Sequence, residues 1–439
     1  MERRIAITGR GVTLPFANNT PDNVKLMMDN LYQGVSSVEN VAPRLEFLKD
    51  YYSQLGSLFP EDYKFDAAKI GIHPKEVKRL GPSVKYAFEA GNDAIVQSGF
   101  LDKITDEERE RVGVIIGHGL CGIIEVEEQY RRLLREGISK VNLNLCLRSL
   151  PDSSPGFMSI HYGLHGPNFS VSTACASSDT AIRLAGNAIR SGEIDIGVCG
   201  GTVESAAAMI YASFGQMGAN SGRKDDPKRA SRPYDRDRDG FVIGEGAGMI
   251  VLEEMEHAKA RRATIYGELL GWCGNSDANH VTAPRLDAEY ISRAMRGAMR
   301  MARVNPEQIA YINAHGTSTA NNDGVETLGI KKAFGDIAYK IPISATKSMI
   351  GHTLSSCGVL GVIIALESAR LGLAHQTLNL DLDHPDTDEN YHKDQKGWEK
   401  FLPCDLDYTG EGPRKLASKI VMANAFGFLG HNESVIVSA

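Results

Sequence analysis

The sequence predicts an α/β protein, and three observations carry that reading. Short apolar, strand-like runs alternate with helical stretches, turn-rich polar segments separate them, and the alternation restarts near residue 264. The strand-like runs fall at 4–8, 111–116, 194–199, 249–253, 310–313, 341–344, 419–423 and 434–438. Residues 177–190 read as a helix, because Ala181, Leu184, Ala185 and Ala188 recur at helical spacing and Gly192 stops them. Cys357–Leu371 is apolar nearly all round, the pattern of a buried helix. The charged stretch 253–262 reads as a join between two similar halves, 1–263 and 264–439. Segments 223–237 and 385–400 are polar and turn-rich and read as exposed loops.

Composition narrows the function classes. The chain has 439 residues, 42% of them hydrophobic and 23% charged, with a net charge of -7. That balance opposes a general nucleic-acid binder, which needs a basic surface for phosphate. No apolar run approaches the roughly 18 residues of a membrane span, the longest candidate (359–366) stopping at Glu367. The first residues lack the apolar core of a signal peptide, so a cytoplasmic protein without membrane contact is expected. Seven scattered cysteines, with no C-x-x-C pair, suit neither a disulfide framework nor a zinc site.

Four segments carry chemistry. In STACASS, Cys175 stands just before a helix, where unpaired N–H groups and the positive end of the helix dipole favour a thiolate nucleophile. In NAHGTST a strand delivers His315 into a Gly/Thr/Ser loop, and in SATKSMIGH a second strand leads through Lys347 to His352. NAFGFLGHN places Phe428 in a glycine-punctuated loop between two strands. The run Gly244-Glu245-Gly246-Ala247-Gly248 has the wrong spacing for a dinucleotide loop and leads into a strand. No metal-binding or nucleotide-binding motif is present, so neither group is expected.

These motifs, together with RPYDRDRDGFVIGEGAG at 232–248, occur in the order of the β-ketoacyl-acyl-carrier-protein synthases, and the chain resembles their elongating, Cys-His-His branch throughout. The resemblance implies a thiolase-like fold, two similar halves in five α/β/α/β/α layers, normally as a homodimer, with a heterodimer beside a chain-length-factor-like subunit as the variant. It implies decarboxylative Claisen condensation of malonyl-carrier protein with an acyl chain on Cys175, the substrates riding on the phosphopantetheine arm of acyl carrier protein with no separate cofactor. His315 and His352 then stabilise the enolate, and the N–H groups of Cys175 and Phe428 hold an oxyanion. Lys347 organises the charge, paired with Glu326 beside Asp323. Thr317 and Thr319 hold the arm, Phe428 gates the pocket, and Leu120 sets its depth. Lys75, Lys78, Arg79, Arg131, Arg132, Arg135 and Arg223 match the positions of a carrier-docking face. Departures occur at Ser178-Asp179, at 353–358, at Leu429 where a glycine is usual, and in the extra loop 385–400. They bear on the substrate and admit a polyketide or polyene enzyme beside the fatty-acid one. The rival readings are a non-catalytic chain-length-factor subunit, which lacks the nucleophile, and a non-decarboxylating thiolase-like acyltransferase.

Overall fold

A computed structural model describes residues 3–392 and 401–439. Ten strands form its main sheet: β1 (Ile5–Thr13), β2 (Val112–Gly117), β3 (Asn168–Val171), β4 (Ile196–Val203), β5 (Gly246–Glu254), β6 (Gly267–Ser276), β7 (Ile309–Asn313), β8 (Ile343–Ser344), β9 (Ile420–Gly427) and β10 (His431–Ser438). Their order is β8-β7-β9-β10-β6-β1-β5-β4-β2-β3. Read from each outer edge, the third, second, fourth, fifth and first strand of each group of five follow one another. The pairings repeat too: two parallel ladders at the edge, then two antiparallel ones. Among the described residues, the ladder that joins the two groups pairs Ala6 and Ile7 with Glu268 and Gly267.

Seven helices position the site: α1 (Pro82–Ser98), α2 (Ile123–Glu136), α3 (Ser177–Ser191), α4 (Ala208–Gln216), α5 (Glu289–Ala302), α6 (Asn322–Phe334) and α7 (Cys357–Leu371). Helices α3 and α7 lie between the two groups of strands, inside the largest apolar cluster. Helix α1 covers the outer face of the first group and α5, with α6 against it, that of the second, each over its own apolar cluster. The result is the five-layered α/β arrangement. Close approach of helix to strand explains two glycines: a Cβ at Gly9 would lie 2.0 Å from the Ala94 carbonyl of α1, and one at Gly271 2.5 Å from the Ala298 carbonyl of α5.

Several sequence expectations need correction. Leu354–Leu371 is long and apolar enough to cross a membrane, with mean hydropathy 1.5, but 89% of it is buried inside the protein. Its one acid, Glu367, is neutralised by Arg10 from β1. The segment 223–237 is not a surface loop throughout, since Ser231, Arg232, Tyr234 and Asp235 are buried. The cause is Tyr234, which stacks on Tyr408 with centroids 3.9 Å apart and donates to Glu326 at 2.9 Å. The aromatic loop at 424–432 shrinks to the turn Phe428–Gly430, because β9 and β10 extend to either side of it. Of the extra loop 385–400, residues 393–400 lie outside the described residues.

Candidate active site

The site forms where the C-terminal ends of β3, β7, β8 and β9 converge. Cys175 follows β3 and precedes α3; His315 follows β7, His352 follows β8, and Phe428 follows β9. One half therefore supplies the thiol and the other both imidazoles. Ala174 is held at φ 51, a strained left-handed conformation for a residue with a Cβ. Ser177 secures that turn by accepting the Thr173 N–H at 2.9 Å and donating to the Ala174 carbonyl at 2.6 Å.

The thiol and both rings are buried, and their ligand atoms all lie within 4.8 Å of one another. His352 Nε2 is 3.1 Å from Cys175 Sγ, and the two rings stand edge to face with centroids 5.4 Å apart. The Leu354 N–H donates to His352 Nδ1 at 3.2 Å, which fixes the tautomer: Nε2 carries the proton and presents it to the sulfur. A metal ligand needs a lone pair on Nε2 and a donor at Nδ1, so this contact works against an ion among the three residues. Burial first, then the Lys347 charge, holds His352 well below its ordinary pKa; His315 is lowered by the same causes and by His352. Both rings are neutral at physiological pH.

For the thiol, the expectation of a thiolate is corrected. Burial, and next the neighbouring Cys357, push Cys175 above its ordinary range. Lys347 and the N–H groups of Phe428 and Cys175 pull the other way without prevailing. Nor is Cys175 alone in adjoining a helix start: Cys357 opens α7, and its thiol donates to the Cys175 carbonyl at 3.3 Å.

Lys347 does not pair with Glu326. Its Nζ donates to the His315 carbonyl at 2.6 Å, because the Glu326 oxygens already accept the His315 and Gly316 N–H groups, each at 2.8 Å, and the Tyr234 hydroxyl. Asp323 takes the N–H groups of Thr317 and Ser318, each at 3.0 Å. These carboxylates shape the loop that turns the Thr317 and Thr319 hydroxyls toward each other, 2.9 Å apart.

Cys175, His315, His352, Thr317, Thr319, Phe428 and Leu120 line one cavity of about 830 Å³. Lys347, Glu326 and Asp323 stand behind it. The basic residues lie away from it: Lys75, Lys78, Arg79, Arg131, Arg132 and Arg135 are exposed, whereas Arg223 is half-buried and bonded to Asp225 and the Asp237 carbonyl. Sequence reasoning missed Tyr234, Leu354 and Arg238, whose partners are remote in sequence or depend on backbone direction.

The sequence matches the β-ketoacyl synthase N-terminal domain over residues 2–258 and the C-terminal domain over 266–381. The chain belongs to the β-ketoacyl synthase family. It is 37% identical to the 3-oxoacyl-[acyl-carrier-protein] synthase 2 of Coxiella burnetii, covering 100% of this chain and 99% of that one. Its fold is similar to the β-ketoacyl synthase structure from Burkholderia phymatum (TM-score 0.85, 31% identity, 100% and 99% covered). It is also similar to the ishigamide ketosynthase/chain length factor structure (TM-score 0.84, 27% identity, both chains fully covered). As a β-ketoacyl synthase it joins two neutral imidazoles to one nucleophilic thiol, a set that can both form an acyl-enzyme and receive developing negative charge.

Proposed function

We propose that the protein is an elongating β-ketoacyl-acyl-carrier-protein synthase. The observation that carries this is the pair of neutral histidines against Cys175, with His352 Nε2–H directed at the reacting atom. Cys175 attacks the thioester of an acyl-carrier protein; the acyl–sulfur bond of the arm breaks, and the thiol proton leaves on the carrier's sulfur. Malonyl-carrier protein then loses CO2, and its enolate attacks the acyl-enzyme carbonyl, forming the carbon–carbon bond and expelling the Cys175 thiolate. That thiolate takes up one proton per cycle. His315 and His352 donate to the enolate oxygen, and the N–H groups of Cys175 and Phe428 to the tetrahedral oxyanion. Burial, helped by Lys347, keeps the imidazoles neutral, Glu326 and Asp323 hold the loop of His315, Thr317 and Thr319 bind the phosphopantetheine arm, Phe428 gates the acyl pocket and Leu120 sets its depth.

The carrier protein docks on the exposed bases Lys75, Lys78, Arg79, Arg131, Arg132 and Arg135, of which Arg131 and Arg132 also pair with Glu127 and Glu136; Arg223 is the least available because it is half-buried. A structural neighbour is a type II polyketide acyl-carrier protein in complex with its ketosynthase, which supports such docking. The enzyme works in the cytoplasm as a homodimer, divided at 263/264 into its two halves, without metal or separate cofactor. The β3 edge, where Phe169 is exposed, supports pairing with a second copy. Incubation with malonyl-carrier protein and a ladder of acyl-carrier proteins, read by mass spectrometry, should give 3-oxoacyl products two carbons longer. Peptide mapping should place the acyl adduct on Cys175 and not on Cys357. An adduct that persists in Cys175→Ala protein refutes the assignment.

A further inference from the structure

The polar segment beyond residue 380 grips the threonine loop from outside. Asp386, 2% exposed, binds the Arg238 guanidinium with one carboxylate oxygen and His392 Nε2 at 2.5 Å with the other. Its backbone carbonyl accepts the Cys404 N–H at 2.9 Å, which fastens the segment from the far side. The Arg238 side chain, 6% exposed, reaches the threonine loop from the same side. Its Nε donates to the Thr319 carbonyl at 3.1 Å and stands 4.0 Å from Asp323, while Nη1 donates to the Asp235 carbonyl at 2.8 Å. Two more ties hold the strap: the Asp381 N–H meets Asp235 at 2.8 Å, and Tyr391 bonds Asp237 beneath the Arg236 guanidinium.

One buried guanidinium is thus shared by two carboxylates with different duties. Asp323 spends its oxygens on the N–H groups of Thr317, Ser318 and Tyr234, and Ser318 sits at φ 66, a conformation that needs outside restraint. Without Asp386, the Arg238 charge would have Asp323 as its nearest counter-ion and would draw it off those N–H groups, because a buried charge cannot stay unbalanced.

We propose that Asp386 is a positioning residue for the substrate arm. Through Arg238 it fixes Asp323 and the Thr319 carbonyl, and with them the two threonine hydroxyls. The inference rests on the reading of Thr317 and Thr319 as contacts of the phosphopantetheine arm. It gives the first residues of the 385–400 segment a role in substrate affinity.

The test is steady-state kinetics with acyl- and malonyl-carrier proteins on Asp386→Asn, which keeps the side chain's size and removes its charge. KM should rise roughly tenfold, the worth of one charge-assisted hydrogen bond, with kcat within about twofold. Arg238→Lys, which keeps the charge and loses the fork, should raise KM alike and carries the test if the first variant does not fold. The double variant of Asp386→Asn with Thr319→Ala should show less than the product of the single effects. A fall in kcat at unchanged KM overturns the proposal. A KM raised by Thr319→Ala but not by Asp386→Asn overturns the coupling and leaves the arm's site standing. A KM raised by neither removes the arm reading itself.

Discussion

Leu354, at φ 39, turns its N–H onto His352 Nδ1 and so decides what that histidine can do. A ring held as an Nε2–H donor is suited to the proposed enolate and is not free to act as a base. Replacement by alanine should therefore lower release of labelled CO2 from malonyl-carrier protein by roughly 10²–10³, while self-acylation of Cys175 partly survives. Release at the wild-type rate would remove His352 from this role. Lys347 supports a second expectation. Burial and its charge lower both imidazoles well below 6.5, so they protonate only at pH well under that value; protonation would put a hydrogen on His352 Nδ1, against the Leu354 N–H that orients the ring. The rate of CO2 release should show no histidine inflection near pH 6.5. Lys347→Met removes the nearby charge, raises both pKa values, and should move the acid limb of the profile upward. An acid limb that stays put would show that burial alone sets the rings. Cys175, His315 and His352 were legible because each stands in a local motif. Tyr234 and Leu354 were not, since Tyr234 meets Glu326 across 92 positions and Leu354 acts through its backbone.

The turn between β9 and β10 shows what one element adds to these side chains. Leu429 sits there at φ 64, 62% exposed at the cavity's rim, with its N–H on the Val281 carbonyl at 2.8 Å. A left-handed leucine costs about 1 kcal/mol against glycine, and neighbouring Phe428 lines the cavity and is proposed above to gate it. The left-handed turn is thus kept here under strain and with added bulk at the entrance. Leu429→Gly should relieve the strain, let the turn move, and broaden or shift the range of acyl chains accepted, with CO2 release nearly unchanged. Acylation rates measured across short and long primers check this, and an unaltered profile leaves Leu429 as packing at the rim. Element prediction succeeded where the apolar pattern was strong, by helical spacing in α3 and by an apolar surface all round in α7. It missed β3, which is exposed or half-buried and carries no apolar run, and β6, whose GELLGWCGNS is broken by three glycines.

At the scale of the whole molecule, the restart of alternation near residue 264 hinted at duplication, but the shared strand order lies in pairings that one sequence does not display. Assembling two such halves buries carboxylates whose burial the sequence does not announce. Glu245, from the glycine-rich run set aside as a nucleotide loop, is 3% exposed and accepts the Phe59 N–H at 2.8 Å and the Ser205 N–H at 3.2 Å. Its loop also carries the Gly244 N–H that meets the His352 carbonyl at 2.9 Å, so this buried acid underlies the catalytic strand end. Burial pushes its pKa from 4.5 up to about 7; its two N–H partners oppose this, Glu204 adds to it, and Arg44 opposes it. A raised folded-state pKa stabilises the protein fully below the unfolded value of 4.5, and that stabilisation is lost as pH rises through about 7. The size is on the order of 3 kcal/mol. Glu245→Gln cannot titrate, yet its amide nitrogen faces an N–H donor and forfeits one hydrogen bond, about 1 kcal/mol at every pH. Urea unfolding midpoints should therefore place the variant below the wild type at pH 5, with the two converging or crossing by pH 7.5. Curves that stay parallel across that range would show that Glu245 does not titrate between the folded and unfolded states.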